Sequence, residues 1–378
     1  MWSPQRYIKE GKARGINKSV LDNAVDQIER VITDNPELPG ILSLNHLAQR
    51  AQVDYDTLRS IVERKHNAYR HFYIRKRSGG HRRISIPEPN LMQVQRWLAK
   101  YVLNPMPVHR CSFAFKPGSS IIKCAARHSG ARWLVKMDIA GFFTSISEIQ
   151  AYRVFEGLGY QPLVALELAR LTTYAPLNSP RYELPQWKAR ASDTTITDYR
   201  FRGLGYLPQG APTSPMLSNL VMPKIDAQIE QVAKAFGLRY TRYSDDLTFS
   251  TRSDEFNRGK AASLIGKVTR ILVPVGLRPQ ERKTVVVPPG ARKIVLGLLV
   301  DGDQPRLTRE FRSDLRQHFY YLEKFGPVEH ARARQFDTVF GMYNHIRGLV
   351  DFARMVDRAY GDALFERLQA VDWPFSAC

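Results

Sequence analysis

An α+β fold is what the sequence predicts, on three observations. Apolar residues recur at three- and four-residue spacing towards both ends of the chain, which is helical text. Two stretches, Tyr69 to Pro87 and Arg239 to Ser250, alternate with period two about turn residues, as β-hairpins do. A length of 378 residues with 43% hydrophobic content is enough for a sizeable core spread over two or three subdomains.

The elements follow in chain order. From Ile16 to about Val62 the spacing is helical, in Val20-Leu21, Ala24-Val25 and Ile28 and again from Leu42 through Leu58 to Ile61. Ser43 and Asp54 are the expected N-caps of a helix-turn-helix pair there, of a kind that more often packs than touches nucleic acid. The first hairpin turns at Ser78-Gly79-Gly80 and carries Arg75, Lys76, Arg77, Arg82 and Arg83. A helix is expected from Leu91 to about Leu103, then an apolar strand, Trp133 to Ile139, closing on the carboxylate of Asp138. Ile149 to Leu171 reads as helix, and Pro176 to about Arg202 as an exposed insertion rich in Pro, Ser and Thr. After Leu207-Pro208-Gln209-Gly210-Ala211-Pro212 a helix spans Leu217 to Phe236, and the second hairpin turns at Ser244-Asp245-Asp246. Helix from Phe256 to Leu272, short strands at Thr284 to Val287 and Ile294 to Val300, and helical text from Arg309 onward complete the chain.

Composition narrows the function. Lys and Arg number 56 against 36 Asp and Glu, a net charge of +20 spread along the chain, which points to a polyanionic partner. The three cysteines, Cys111, Cys124 and Cys378, form neither a Cys-x-x-Cys pair nor a zinc-spaced ladder, so a reducing, cytoplasmic setting is expected. No apolar signal core or long apolar run is present, and no membrane partner is expected.

Asp138 and the adjacent Asp245-Asp246 each sit at a strand end or turn within apolar text. Carboxylates gathered that closely repel unless a cation joins them, and oxygen-only donors favour Mg²⁺. Phosphoryl transfer through two metal ions is the chemistry such a set serves.

Around these residues the sequence resembles the reverse transcriptases. Tyr243-Ser244-Asp245-Asp246 resembles their Tyr-x-Asp-Asp signature, Asp138-Ile139-Ala140-Gly141-Phe142-Phe143 their Asp-x-x-x-Phe-Phe signature, and Leu207 to Pro215 their Pro-Gln-Gly segment, in the family's order. Phe72-x-Ile74, Lys76, Gly79-Gly80, Arg82-x-Ile84, Pro87 and Gln95 resemble the fingers block, and Arg282-Lys283-Thr284 and Leu296-Gly297-Leu298 the later palm blocks. Cys111 to Ile121, with Ala125, His128 and Phe142 to Ile146, is most similar to the bacterial retron enzymes. Two departures concern segments tied to recognition of the cognate RNA: Cys124-Ala125-Ala126-Arg127-His128 replaces Asn-Ala-x-x-His, and Val295-Leu296-Gly297 replaces Val-Thr-Gly.

The resemblance implies a right-hand polymerase: an N-terminal helical region (1–65), fingers with the start of the palm (66–135), a palm of antiparallel sheet with helices (136–305) and a helical thumb (306–378). It implies that Asp138 and Asp245 bind two Mg²⁺ ions with the carbonyl of Ile139, that Asp246 supports them, and that Lys283 stands near the leaving pyrophosphate. Lys76 and Arg82 would meet the triphosphate, Phe143 would lie beneath the incoming sugar while Phe142 turns to the core, and Gln209-Gly210 would pack against the nucleotide and template. Arg312, Arg316 and Arg347 are the expected RNA contacts, and His128 is expected to be a structural or RNA-facing histidine rather than a catalyst. The implied partners are a structured noncoding RNA as template and primer, its cDNA product, deoxynucleoside triphosphates and a toxic effector protein in phage defence. A group II intron-like or other bacterial defence reverse transcriptase stays open beside this reading. So does a non-catalytic RNA-binding scaffold, which should lack one acidic ligand, whereas all three are present.

Overall fold

The computed structural model describes residues 3–75, 79–176 and 204–375. Lys76, Arg77, Ser78, nearly all of the expected insertion and Cys378 therefore lie outside the described residues.

Four helices lead in, Pro4–Ala13, Lys18–Asp34, Leu44–Ala51 and Tyr55–Val62. The last two begin where their caps place them: the Ser43 hydroxyl accepts from the His46 amide and the Asp54 carboxylate from the Thr57 amide. Strands β1 (Tyr69–Arg75) and β2 (His81–Pro87) form the first hairpin. Helix Pro89–Leu98 follows and runs on through a π-helical turn, Ala99–Leu103.

The central sheet is antiparallel, with strand order β4-β5-β3-β6 for β3 (Trp133–Asp138), β4 (Arg239–Tyr243), β5 (Asp246–Thr251) and β6 (Val285–Val287). Residues paired across a ladder share a face, so the register divides the sheet into two chemically different sides. Val135, Met137, Leu247, Phe249 and Tyr240 lie on the side of the larger core. Asp138, Lys136, Asp246, Thr248, Ser250 and Thr241 lie on the other side. A polar face on a sheet backed by a full hydrophobic core can carry a site without costing the fold its stability.

Two helical runs are each broken in two. Ile149 to Leu171 forms Glu148–Gly157 and Pro162–Thr172, parted at Gly159, whose φ of +95° suits glycine, and at Pro162, which has no amide hydrogen to continue a helix. Leu217 to Phe236 forms Ser214–Val221 and Pro223–Ala235, parted at Pro223 for the same reason. Helix Arg258–Leu272 follows, then β7 (Ile294–Val295), β8 (Leu298–Leu299) and β9 (Arg306–Leu307), and then helices Arg309–Ala333, Val339–Val356 and Arg358–Gln369. The first of these three kinks at Gly326-Pro327. The C-terminal helices and β7 to β9 enclose a second core, which Ala125 and Leu134 join from the first part of the chain.

Candidate active site

Asp138 is the last residue of β3 and Asp246 the first of β5, and they are register partners on the polar face. Asp245 sits between β4 and β5 in a two-residue turn that Tyr243 and Asp246 close, and Ser244 before it has a φ of +59°. The backbone ties this turn to β3, because the Ile139 amide donates to the Asp245 carbonyl at 3.0 Å. The chain beyond β3 is tied as well: the Gln280 amide donates to the Asp138 carbonyl at 2.7 Å and the Ala140 amide to the Arg278 carbonyl at 2.8 Å. That second tie carries Lys283 to the site. Its Nζ lies 2.8 Å from Asp138 Oδ2, and this hydrogen bond raises the lysine pKa.

Electrostatics follow from the crowding. Burial raises the pKa of Asp245, with the charge of Asp138 adding to it. Burial likewise raises that of Asp246, with Asp245 adding. Two partly buried carboxylates held above the usual range beside a third are a set that a divalent cation would relieve, and the donors are all oxygen. The donor atoms of all three carboxylates do not converge on one ion-sized point. Among the described residues the set that does is His109, Cys111 and Glu230, where Glu230 is already the acceptor for Arg110 at 2.6 Å.

Phe142 is 3% exposed and packs in the core, whereas Phe143 is half-buried, its ring tilted against Phe142 and Phe115 at centroid distances of 5.7 and 5.9 Å. Gln209 and Gly210 dock on the hairpin: the Ser85 amide donates to the Gln209 carbonyl at 2.7 Å. Gly210 has a φ of +114°, and a Cβ there would stand 2.8 Å from Ile84 Cγ2 and 3.0 Å from the Ser85 carbonyl.

Residues 74–297 match the family described as Reverse transcriptase (RNA-dependent DNA polymerase). The Retron Mx162 reverse transcriptase of Myxococcus xanthus is 31% identical over 80% of this chain and 61% of its own length. The Retron Ec86 reverse transcriptase of Escherichia coli is 27% identical over 86% of this chain and 93% of its own length. The Retron Mx65 reverse transcriptase of Myxococcus xanthus is 30% identical over 96% of this chain and 81% of its own. The chain belongs to the retron-type reverse transcriptases. It spans about three fifths of the Mx162 enzyme. Members of the family are RNA-directed DNA polymerases that use divalent metal ions.

Against this retron-type background, the remaining expected residues divide. Of the two readings of His128, structural or RNA-facing, the burial favours the structural one: the residue is 0% exposed. Its ring nitrogens lie 2.7 Å from the Ser250 and Thr241 hydroxyls, so it satisfies two buried groups on the polar face of the sheet. Cys124 points the same way, its thiol 3.5 Å from Thr241 Oγ1, so Cys124 and His128 tie the departing segment to β4 and β5 while Ala126 and Arg127 between them are exposed. Arg312 is engaged within the C-terminal helices, pairing with Asp357 at 2.8 Å and lying over the Tyr360 ring. Arg347 pairs with Asp351 at 3.2 Å and lies over Phe365. Arg316 and Arg82 are exposed.

Two contacts had no sequence signal beyond their residue types. Phe115, left-handed at φ +63°, supports Phe143. Arg83, the register partner of Tyr73 in the turn-side half of the hairpin, is anchored, donating to the Tyr174 hydroxyl at 2.9 Å with its guanidinium over that ring.

Proposed function

We propose that this chain copies a dedicated structured noncoding RNA into single-stranded DNA that stays joined to the RNA, in the manner of retrons, using Mg²⁺ and deoxynucleoside triphosphates. The observation that carries the reading is the pairing of Asp138 with Asp246 across β3 and β5, with Asp245 at the adjoining turn and Lys283 on Asp138. In this reading 66–135 are fingers with the start of the palm, 136–305 the palm and 306–378 the thumb, preceded by the helical region 1–65.

Asp138 and Asp245 are assigned two Mg²⁺ ions, with the Ile139 carbonyl as a further donor and Asp246 in support. Bound Mg²⁺ would supply Lewis-acid stabilisation of the charge that builds on the transferring phosphate. Lys283 is assigned to the leaving pyrophosphate, where a mobile ammonium stabilises negative charge. Lys76 and Arg82 are assigned to the triphosphate, and Phe143, with Gln209-Gly210, to the nucleotide. In the thumb, exposed Arg316 is the first candidate for a phosphate contact, with Arg312 and Arg347 available where a phosphate displaces their surface ion pairs. Resemblance to retron enzymes extends the reading to a cytoplasmic role in antiphage defence with a toxic effector protein.

Sequencing the nucleic acid that copurifies with the protein tests the reading. One RNA species joined to one DNA species is the expected result. Mixed cellular RNA without attached DNA would overturn the retron-type product.

A further inference from the structure

Behind the aspartates, on the core side of the sheet, lies a buried ion pair that none of the assigned roles uses. Arg242 is the register partner of Leu247, is 0% exposed, and stands on β4 two residues before the turn. Its guanidinium forks onto Asp226 of helix Pro223–Ala235, with Nε 2.9 Å from Oδ1 and Nη2 2.8 Å from Oδ2, and the Asp226 side chain is 0% exposed as well. The Tyr240 hydroxyl donates to the same carboxylate at 2.8 Å. The remaining nitrogen, Nη1, donates to Asn219 Oδ1 at 3.1 Å and to the backbone carbonyl of Ser244 at 3.2 Å. Asn219 is fixed in turn, accepting from the Ser112 hydroxyl at 2.9 Å and donating to the Ala114 carbonyl at 2.7 Å.

A buried pair of this kind contributes little net stability, because desolvation offsets the attraction between the charges. What this one does in addition is hold a strained turn. Ser244 occupies the left-handed region at φ +59°, which a non-glycine residue adopts at a cost, and its carbonyl is fastened by the guanidinium immediately before Asp245. The Asp245 carbonyl is fastened from the other side of the turn by the Ile139 amide. We infer that Arg242 is a positioning residue: anchored by Asp226 and Asn219, it holds the Ser244 turn in the conformation that aims Asp245 at the metal ions and keeps Asp246 in support beside it. The inference rests on the metal-binding role proposed above for Asp245 and the supporting role proposed for Asp246.

The test compares wild type with the paired variant Asp226→Asn/Arg242→Gln, which leaves no lone buried charge, and with the same variant carrying Ser244→Gly. Rate, the Mg²⁺ concentration giving half-maximal rate, RNA affinity and thermal midpoint are measured on each. The paired variant should lose roughly 10²-fold in kcat, the scale of a small misplacement of reacting groups, and need more Mg²⁺, with RNA affinity unchanged. Ser244→Gly should then recover about five- to thirtyfold, because glycine holds a positive φ unaided. A purely structural ion pair would lower the thermal midpoint without moving the Mg²⁺ requirement. That result, or a loss that glycine does not recover, overturns the inference. Should the paired variant fail to fold, Arg242→Lys decides: it keeps a buried cation against Asp226 but lacks the fork that reaches Ser244, so it should also need more Mg²⁺, and a wild-type Mg²⁺ response overturns the inference. Wild-type protein inactive on an RNA template would instead overturn the polymerase reading beneath it.

Discussion

Phe142 and Phe143 follow the same aspartate yet meet different surroundings, and that difference sets what each substitution does. Phe142 is closed into the core, so Phe142→Ala should destabilise the fold by about 3–5 kcal/mol, read from denaturant unfolding. Phe143 is half-buried, and under the proposed role a 2′-hydroxyl would collide with its ring at a cost of about 1–3 kcal/mol, roughly 5- to 150-fold. Phe143→Ala should therefore lower the dNTP/rNTP ratio of kcat/KM by that order, and an unchanged ratio would mean that the ring only packs. His128 makes a different kind of prediction. Burial holds its pKa down to about 3, so the unfolded chain binds a proton below about pH 6.5 that the folded chain refuses. Stability should fall as pH drops from about 6.5 towards 3, with His318, held down to about 4, acting in the same direction. His128→Gln cannot titrate and should flatten part of the slope of unfolding free energy against pH. A slope identical to wild type would assign the acid lability to other groups.

At the scale of elements, the Pro-Gln-Gly turn and the hairpin are one unit. Gly210→Ala meets both a backbone strain and a wall, since its Cβ would press on Ile84 and Ser85. Gly237, at φ +67°, meets the strain with nothing within 4 Å. Gly237→Ala should cost about 1–2 kcal/mol and Gly210→Ala more, with polymerase activity falling as the hairpin shifts. Equal costs in urea unfolding would mean that the hairpin yields freely. The same elements show what a sequence can reveal. Ser43 and Asp54 were legible as caps because their chemistry is local, and the two hairpins because alternation and turn residues are local too. The breaks at Gly159 and Pro223 interrupt runs whose apolar spacing continues across them, so periodicity alone joined what the backbone separates. Arg242 was illegible in its role, and the sequence alone did not choose between a structural and an RNA-facing His128. A buried arginine declares itself only once Asp226 is known to face it from another helix, and a buried histidine only once Thr241 and Ser250 meet its two nitrogens.

Across the whole molecule, the sheet has one side committed to the larger core, while Leu134 on its other side reaches the second core. Asp138 and Asp246 stand on the side away from the larger core, with Asp245 in the adjoining β4–β5 turn, at the β3 and β5 ends where the tie to Lys283 meets them. A net charge of +20 gives the chain attraction for nucleic acid that does not depend on these three carboxylates. Binding and chemistry should therefore be separable, and Asp245→Asn separates them: the amide is nearly the same size but cannot bridge two cations. Incorporation of labelled dTTP on poly(rA)/oligo(dT), measured beside RNA affinity for wild type and Asp245→Asn, tests the central claim most directly. Abolished synthesis with RNA binding retained is the predicted result. Synthesis by the folded variant above a few per cent of the wild-type rate would contradict the assignment of a metal-dependent polymerase site to these aspartates.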